Sequence, residues 1–258
     1  MATFTVPRQL RNLAWHHQRT LYALLFECAV STLKTFGLND KALGGELGLT
    51  AVLHTHSRRL AFHPHVHMII PGGCYLRARR QWKKRRGQYL FNEINLATVF
   101  RARMLAAIAK AGFTLPANLP AHWVVHCDHV GSGLPALKYL SRYLYRGVID
   151  ENNILSDDGA QVTFRYRDSE TNAFKIQRCN GEDFLWRVFQ HALPKGFRRT
   201  RDYGFLHGNA AKIRQLIQMV LNVTLPVPEP GIRPAFICRR CRCPMRIIAF
   251  VPPSWRAG

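Results

Sequence analysis

Short stretches in which hydrophobic and polar residues alternate mark the strands that the sequence predicts. Leu49–His56 and His65–Ile70 alternate in this way on either side of a polar segment around Ser57–Phe62, so we expect two adjacent strands joined by a turn. The apolar start at Phe4–Val6 indicates an edge strand. Further strands are predicted at Trp123–His129 and, as a hairpin, at Gln161–Arg167 and Phe174–Arg178.

Apolar residues recur at helical spacing in five longer segments. The predicted helices cover Gln9–Thr35, Asn95–Ala111 (capped by Asn95), Pro135–Arg146, Glu182–Leu193 and Asn209–Val223. Strands mixed irregularly with helices favour an α+β fold with a mainly antiparallel sheet and a helical C-terminal part. We expect one domain over residues 1–225, followed over residues 226–258 by a proline-rich linker and a small cysteine-containing tail.

The charge of the chain indicates what kind of partner it binds. Its 258 residues include 37 Lys and Arg against 15 Asp and Glu, a formal net charge of +22. Such a field argues for a polyanionic partner, most often nucleic acid, and against an ordinary small-metabolite enzyme; a basic ribosomal or membrane-surface protein is the alternative. No apolar run reaches the roughly 18 residues that span a bilayer, and no signal-peptide pattern is present, so we expect a cytoplasmic protein with no membrane partner.

Five histidines fall within fourteen residues on the two adjacent predicted strands. Alternate side chains of a strand share a face, so His65 and His67 project together while the residues between them face the core. Two imidazoles at this spacing can hold a divalent ion from one side and leave its other side open to substrate, as a catalytic metal requires. His54 lies opposite His65 across the turn and is the first choice for a third ligand, with His56 second and His63 third. A purely structural zinc site is the alternative.

The predicted helix Pro135–Arg146 carries two tyrosines one turn apart. Tyr139 and Tyr143 share a face, because residues four apart on a helix are neighbours. Arg146 and, more loosely, Arg142 lie on that side, whereas Tyr145 points away. The helix is expected to pack on one stripe of leucines, Leu137, Leu140 and Leu144. Two tyrosines alone favour aromatic packing between helix and sheet. The basic residues on the same face weaken that interpretation, because they make the face polar, and the alternative is a pair of phenol nucleophiles beside guanidinium groups.

Together these segments resemble a known family. HPHVHMIIPGG is similar to the histidine–hydrophobe–histidine (HUH) motif of rolling-circle nucleases, and YLSRYLYR, downstream of it, is similar to their two-tyrosine helix. Over about Phe4 to Met245 the chain resembles the rolling-circle (HUH, two-tyrosine) transposases of bacterial insertion sequences. That family usually carries a cysteine-rich zinc-binding module ahead of this domain. We expect the chain to lack it, which favours nicking chemistry over complete transposition.

The resemblance implies a fold, an activity and the residues that perform it. The fold is a five-stranded antiparallel sheet with the histidines on a central strand and the tyrosine helix packed nearby. His65 and His67 match the metal-binding pair, for Mg²⁺ or Mn²⁺, and Tyr139 and Tyr143 match the nucleophiles that form 5′-phosphotyrosine links to DNA. The implied activity is nicking and rejoining of single-stranded element ends and target DNA in rolling-circle transposition, at the bacterial nucleoid. A plasmid replication initiator or relaxase, and a truncated non-catalytic DNA-binding remnant, are the alternatives.

Further residues suggest DNA contacts and a second metal. Candidate phosphate contacts are Lys83, Lys84, Arg85, Arg86, Arg142, Arg146, Arg198, Arg199 and Arg201. The basic run Arg77–Arg86 is interrupted by Trp82, which is a candidate for stacking on an unpaired base. Cys238, Cys241 and Cys243 have knuckle-like spacing, so Zn²⁺ binding is possible there, although a tetrahedral site needs four ligands and a degraded knuckle is the alternative. We expect the remaining cysteines to be reduced core thiols: Cys28, Cys74, Cys127 and Cys179.

Overall fold

The computed structural model describes residues 1–87, 90–131, 133–145, 148–168, 171–224, 236–238 and 240–245. Residues 139, 142–145 and 236 are described by their backbone alone. The chain forms two compact units, Met1–Asn222 and Val223–Gly258.

The strands and helices follow one another in an irregular α+β order. The strands are β1 (Ala2–Thr5), β2 (Leu49–His56), β3 (Phe62–Ile69), β4 (Gly73–Leu76), β5 (Gln81–Lys84), β6 (Val125–Cys127), β7 (Ile154–Asp157), β8 (Gln161–Arg167), β9 (Phe174–Asn180), β10 (Thr200–Tyr203), β11 (Phe236–Ile237) and β12 (Pro244–Met245). The helices are α1 (Arg11–His16), α2 (Gln18–Asn39), α3 (Glu93–Lys110), α4 (Leu134–Tyr145), α5 (Gly181–Phe189) and α6 (Ala211–Leu221).

The main sheet has five strands in the order β10-β2-β3-β1-β6, and every neighbouring pair is antiparallel. Strand β3, which carries His65 and His67, is the central one. The prediction of an α+β fold with an antiparallel sheet and histidines on its central strand is therefore confirmed.

Strand β1 lies inside this sheet, so the prediction of an edge strand at Phe4–Val6 is wrong. Phe4 pairs with Val66 of β3 on one side and with Val125 of β6 on the other. Phe4 is fully buried, and its ring packs edge-on against Phe100 of α3. A short strand that is apolar on one face gains backbone hydrogen bonds on both sides when a later segment such as β6 pairs with it.

The two faces of the sheet differ in character. Val66 and Met68 are fully buried in the main hydrophobic core, together with residues of α2 and α3. Because side chains alternate along a strand, His65 and His67 project from the opposite face. The helices thus stiffen the sheet from behind and leave the histidine face available for chemistry.

Helix α2 is long and apolar enough to cross a membrane by length and composition alone, with 22 residues and a hydropathy of 1.3. The sequence prediction counted only continuous apolar runs, which Glu27 and Lys34 interrupt. In the structure 56% of its apolar window is buried, and Leu25, Phe26 and Leu33 belong to the main core. A core helix of this kind passes the same test of length and hydropathy.

Two helix boundaries differ from the prediction. The segment predicted as one helix from Gln9 to Thr35 is broken at His17, whose backbone leaves the helical region between α1 and α2. Helix α3 begins at Glu93 and is capped by Asn92, whose side chain accepts a hydrogen bond from the backbone N–H of Asn95, so Asn95 is not the cap.

A second, three-stranded antiparallel sheet is formed by β7, β8 and β9. It has a small core of its own, in which Val162 and Phe164 of β8 pack with Phe184 of α5. Leu60, from the turn between β2 and β3, is also buried in this core. The second sheet therefore contacts the main sheet at the turn that connects the two histidine strands.

Candidate metal centre

Three histidines converge on the face of the main sheet that the helices do not cover. In the β2–β3 pair, His54 lies directly opposite His65, and His67 lies opposite Val52. The ring centroids are 5.2 Å apart for His54 and His65, 4.4 Å for His54 and His67, and 4.9 Å for His65 and His67. One ring nitrogen of each lies within 4.8 Å of those of the other two. Three imidazole nitrogens at this spacing can bind one metal ion.

Two of these rings are oriented by hydrogen bonds through Nδ1. The Nδ1 of His65 lies 2.6 Å from the backbone carbonyl of His63, to which an Nδ1–H donates. The Nδ1 of His67 lies 2.9 Å from the hydroxyl of Thr3, its register partner on β1. Such partners fix the ring and its tautomer in protein metal sites and leave Nε2 for the ion. The donor set of the triad therefore fits a bound divalent metal.

The two other candidates for the third ligand are engaged elsewhere. The ring of His56 stacks at 6.4 Å from that of His54 and faces His191 at 5.1 Å. The Nδ1 of His63 lies 2.5 Å from the guanidinium of Arg11. Among the residues that the structure describes, only His54 joins His65 and His67 in a group of three potential ligands.

The histidines of this face are neutral at physiological pH. Burial lowers the pKa of His54, and the neighbouring His67, His65 and His56 lower it further. Burial also lowers the pKa of His67 and of His56, each to about 3, and lowers that of His65. A metal ion needs the unprotonated imidazole, so this environment keeps the ligands ready to bind.

We expect the metal-free protein to lose stability as the pH falls below the ordinary histidine pKa of 6.5. His54 and His67 bind protons in the unfolded chain at that pH but not in the folded one, so the free energy of unfolding decreases from pH 6.5 down towards pH 3. Each group contributes up to about 2 kcal/mol of loss by about pH 5. Urea denaturation between pH 7.5 and 5 measures the slope of the unfolding free energy against pH. The slope should shrink in a His54→Gln, His67→Gln variant and persist in a His126→Gln variant, because His126 is exposed on β6.

The turn between the two histidine strands is held from outside the main sheet. Leu60, buried at 3% exposure, adopts a positive φ of 60°, and its carbonyl accepts hydrogen bonds from Gln190 Nε2 at 2.9 Å and His191 Nε2 at 3.1 Å. Both donors follow α5 directly. The second sheet and α5 thus fix the turn that sets His54 opposite His65.

A cavity of about 630 Å³ opens in front of the triad. Its far wall is formed by the second sheet, including Arg165, Tyr166 and Arg167 of β8. Asp168, at 1% exposure, accepts hydrogen bonds from Arg59 at 2.9 Å and Lys175 at 3.0 Å, so this buried carboxylate is compensated by two cations. The cavity therefore keeps a cationic lining that suits a phosphate-bearing substrate.

Residues 48–214 match the protein family Y2_Tnp, described as "Putative transposase". The chain belongs to this transposase family. The prediction of a transposase of this kind from the histidine and tyrosine motifs is confirmed.

Two curated relatives come from bacteria. The "Putative transposase y4qJ" of Sinorhizobium fredii (strain NBRC 101917 / NGR234) is 30% identical over 252 residues, which cover 88% of this chain and 63% of the relative. The "Transposase for insertion sequence element IS801" of Pseudomonas savastanoi pv. phaseolicola is 29% identical over 249 residues, covering 89% and 59%. The chain thus spans about three-fifths of the length of these relatives.

Two solved structures of the conjugative relaxase TrwC with OriT DNA also resemble the chain. The complex with mutant OriT DNA gives a TM-score of 0.37 at 15% identity, covering 84% of this chain and 72% of the relaxase chain. The metal-free complex gives 0.36 at 14% identity, covering 86% and 71%.

The tyrosines of this family member lie in α4. Tyr139 and Tyr143 fall one turn apart in that helix, but their side chains, like that of Arg142, lie outside the described part of the structure, as does Arg146. The buried stripe of α4 differs from the predicted one. Ala136 and Leu140 are buried, whereas Leu137 is 51% exposed. The prediction is therefore confirmed for Leu140 and wrong for Leu137, and the side chain of Leu144 lies outside the described part of the structure.

Strands β4 and β5 pair as a hairpin, and the basic run Arg77–Arg86 covers its turn and its second strand. Lys84 and Arg86 are exposed, whereas the guanidinium of Arg85 pairs with Asp40 at 3.3 Å. Lys83 lines a separate cavity of about 640 Å³ beside Arg77 and Arg79. Trp82 is half-buried and packs edge-on against Phe205 at 5.5 Å, so its ring is engaged within the protein rather than presented to a base.

Arg198, Arg199 and Arg201 do not form one group. The positive charge of Arg199, the residue before β10, contributes to lowering the pKa of His54 and His56, after burial and the neighbouring histidines. Arg201, within β10, instead places its guanidinium on the ring of Phe26 of α2. Arg198 lines the same cavity as Arg201, away from the histidines.

The C-terminal unit contains a short hairpin of β11 and β12. Between these strands, the Cys238 N–H donates to the Cys243 carbonyl at 2.9 Å, and hydrogen bonds from the backbone at Cys241 and Arg240 lower the pKa of the Cys238 thiol. Zinc binding by Cys238, Cys241 and Cys243 remains a prediction. Of the four other cysteines, Cys28 and Cys74 are buried, and Cys127 and Cys179 are half-buried.

Sequence reasoning missed residues that position the site. No sequence motif marks these residues, because each acts through a contact between distant segments. They are Thr3, Asp168, Gln190 and His191. Their only signal is that of polar residues in apolar surroundings, which need a partner when buried.

Proposed function

We propose that this chain is the nuclease part of a transposase that nicks and rejoins single-stranded DNA through a 5′-phosphotyrosine link, in rolling-circle transposition. The observation that carries the proposal is the triad of His54, His65 and His67 at the base of a cationic cavity. Membership of the transposase family supports it, and we expect the protein to act in the cytoplasm, at the nucleoid.

The triad would hold the metal, Mg²⁺ or Mn²⁺, through three neutral ring nitrogens. A divalent ion bound there acts as a Lewis acid on the scissile phosphate. Thr3 and the carbonyl of His63 keep the rings of His67 and His65 oriented. The cavity leaves the open side that a catalytic metal needs.

The cavity would receive the DNA strand. Arg165 and Arg167 of its wall can contact phosphates, and Arg199 adds positive charge beside the histidines. Tyr166 also lines this wall, but its ring packs against the small core, and the guanidinium of Arg59 lies 5.4 Å from the ring centre. The arginines of this lining favour a DNA strand over a small metabolite.

Tyr139 or Tyr143 would supply the nucleophile. The tyrosine oxygen attacks the phosphorus, the bond from phosphorus to the 3′-oxygen breaks, and that oxygen leaves with a proton as a 3′-hydroxyl. The phosphorus stays bound to tyrosine as a 5′-phosphotyrosine. A 3′-hydroxyl attacking this link in reverse rejoins the strand without ATP, because the link conserves the phosphodiester energy.

A nicking assay tests the proposal directly. Single-stranded DNA carrying an element end, labelled on the 3′ side of the nick, is incubated with the protein and Mg²⁺ or Mn²⁺. We expect a labelled protein–DNA adduct on denaturing gels that chelator prevents. DNA binding with no adduct under either metal would instead favour the non-catalytic remnant.

The exposed cations of the β4–β5 hairpin give a second expectation. Replacing Lys84 and Arg86 by Gln should weaken DNA binding for all sequences alike and reduce the slope of log affinity against log salt by about 1.4, since each single-strand phosphate contact contributes about 0.7. Fluorescence anisotropy over a salt series measures this. Extending the change to Lys83 and Arg85 should lower affinity further, although it also removes the partner of Asp40.

The matched control for this variant is Lys110→Gln with Lys212→Gln, which removes the same charge from exposed helix positions. If both double variants give the salt slope of the unmodified protein, the hairpin makes no phosphate contact.

A further inference from the structure

A second polar cavity is bordered by strand β10 and helix α2. It has a volume of about 830 Å³, and its lining includes Arg19, Phe197, Arg198, Arg201, Asp202 and Tyr203. We call it the β10 groove. It shares no lining residue with the cavity in front of the histidines.

The β10 groove is cationic. Arg19, Arg198 and Arg201 line it, against one acid, Asp202, whose carboxylate accepts a hydrogen bond from Thr50 at 2.6 Å. Arg19 and Arg198 are exposed. Three guanidinium groups facing one open cavity suit a ligand that carries several negative charges.

One of these cations is fixed in place. The guanidinium of Arg201 lies 4.4 Å from the ring centre of Phe26 and 4.9 Å from that of Phe197. Cation–π contacts of this kind stabilise the arginine without neutralising its charge. Arg201 can therefore still bind an anion. Because its side chain is already held in place, it loses little conformational entropy on binding.

The groove lies at the edge strand of the main sheet, next to the strand that carries His54. Strand β10 is the terminal strand of the five-stranded sheet and pairs with β2, which carries His54. Arg201 pairs with Ala51, a core residue on the helix side, and the charge of Arg199, the residue before β10, lowers the pKa of His54 and His56. Positive charge is therefore present both in the groove and near the histidines.

We propose that the β10 groove binds a second stretch of the same DNA strand, which passes from the metal centre over the edge of β10. Arg19, Arg198 and Arg201 contact its phosphates, while Phe197 and Tyr203, which pack against the main core, also line the groove. This inference rests on the proposed function for the identity of the polyanion. It predicts that the protein recognises more of the strand than the cavity at the metal centre can hold.

The test compares two lengths of single-stranded DNA, about 8 and about 24 nucleotides, within the range of known single-strand binding sites and beyond it. The variant is Arg19→Glu with Arg198→Glu, and the control is Lys41→Glu with Lys110→Glu, an equal charge change at exposed positions outside both cavities. We expect the groove variant to lose at least about tenfold in affinity for the long strand, with a salt slope lower by about 1.4. Mn²⁺ binding and thermal melting of the variant, compared with those of the unmodified protein, report whether the fold and the triad remain intact.

A second measurement locates the strand. With 5-iododeoxyuridine placed at successive positions of the long strand, light should cross-link a base remote from the nick to Tyr203 or Phe197, as mapped by mass spectrometry. If the groove variant bound the long strand with the same affinity and salt slope as the unmodified protein, the inference would be wrong. A cross-link confined to the histidine cavity would do the same.

The two proposals fail separately. If the unmodified protein binds long DNA through the groove but forms no covalent adduct, the nuclease function is wrong and the groove stands. If it forms the adduct while the groove variant binds like the control, the groove is wrong and the nuclease function stands.

Discussion

Replacing both Tyr139 and Tyr143 by Phe should abolish the covalent protein–DNA adduct and lower nicking by about 10⁴-fold or more, as expected when a nucleophile is removed. Phe keeps the ring and its packing but lacks the attacking oxygen, so the variant should fold and bind DNA as before. Denaturing gels report the adduct, and anisotropy reports binding. Each single variant should retain some nicking and lose the coupled cleavage and joining of two strands.

Tyr145 provides the control for this experiment, because it lies in the same helix outside the pattern of two tyrosines four residues apart. Tyr145→Phe should nick at close to the normal rate. If mass spectrometry of the digested adduct placed the DNA on Tyr145, the assignment of Tyr139 and Tyr143 would be wrong.

Replacing His65 and His67 by Ala should remove metal binding and reduce cleavage by at least about 1,000-fold, since a Lewis-acid metal supplies several kcal/mol of transition-state stabilisation. The fold should survive, because these side chains project away from the main core. Titration with Mn²⁺ measures the lost site, and chelation of the unmodified protein should reproduce the loss of cleavage.

His126→Ala is the matched control, since this histidine is exposed on β6 of the same sheet. It should bind metal and nick normally. Normal nicking by the His65→Ala, His67→Ala variant would remove the triad from the mechanism.

The histidine triad could be predicted from the sequence because its information is local. Alternation on β3 places His65 and His67 on one face, and a short turn places His54 opposite His65, so three potential ligands follow from two strands. The structure adds the choice between His54, His56 and His63, because only the packing shows that Arg11 and His191 engage the other two.

Features that depend on pairing between distant segments could not be predicted. The internal place of β1 depends on β6, more than a hundred residues away, and no pattern in a four-residue strand reports its number of neighbours. The short β10 has no hydrophobic periodicity, so the packing of Arg201 on Phe26 and the influence of Arg199 on the histidines were equally hidden. Asp168 carries no signal either, since its partner Arg59 lies 109 residues away.

The anchoring of Leu60 makes metal affinity a property of the second sheet as well as of the histidines. Leu60, in the β2–β3 turn, packs with Phe164 and Phe184 in the small core. Local opening of that core would free the turn and increase the distance between His54 and His65. Linkage is reciprocal, so a metal that favours the closed turn must also slow the opening of α5. Amide hydrogen exchange in Gly181–Phe189 should therefore report on an ion bound in a different sheet.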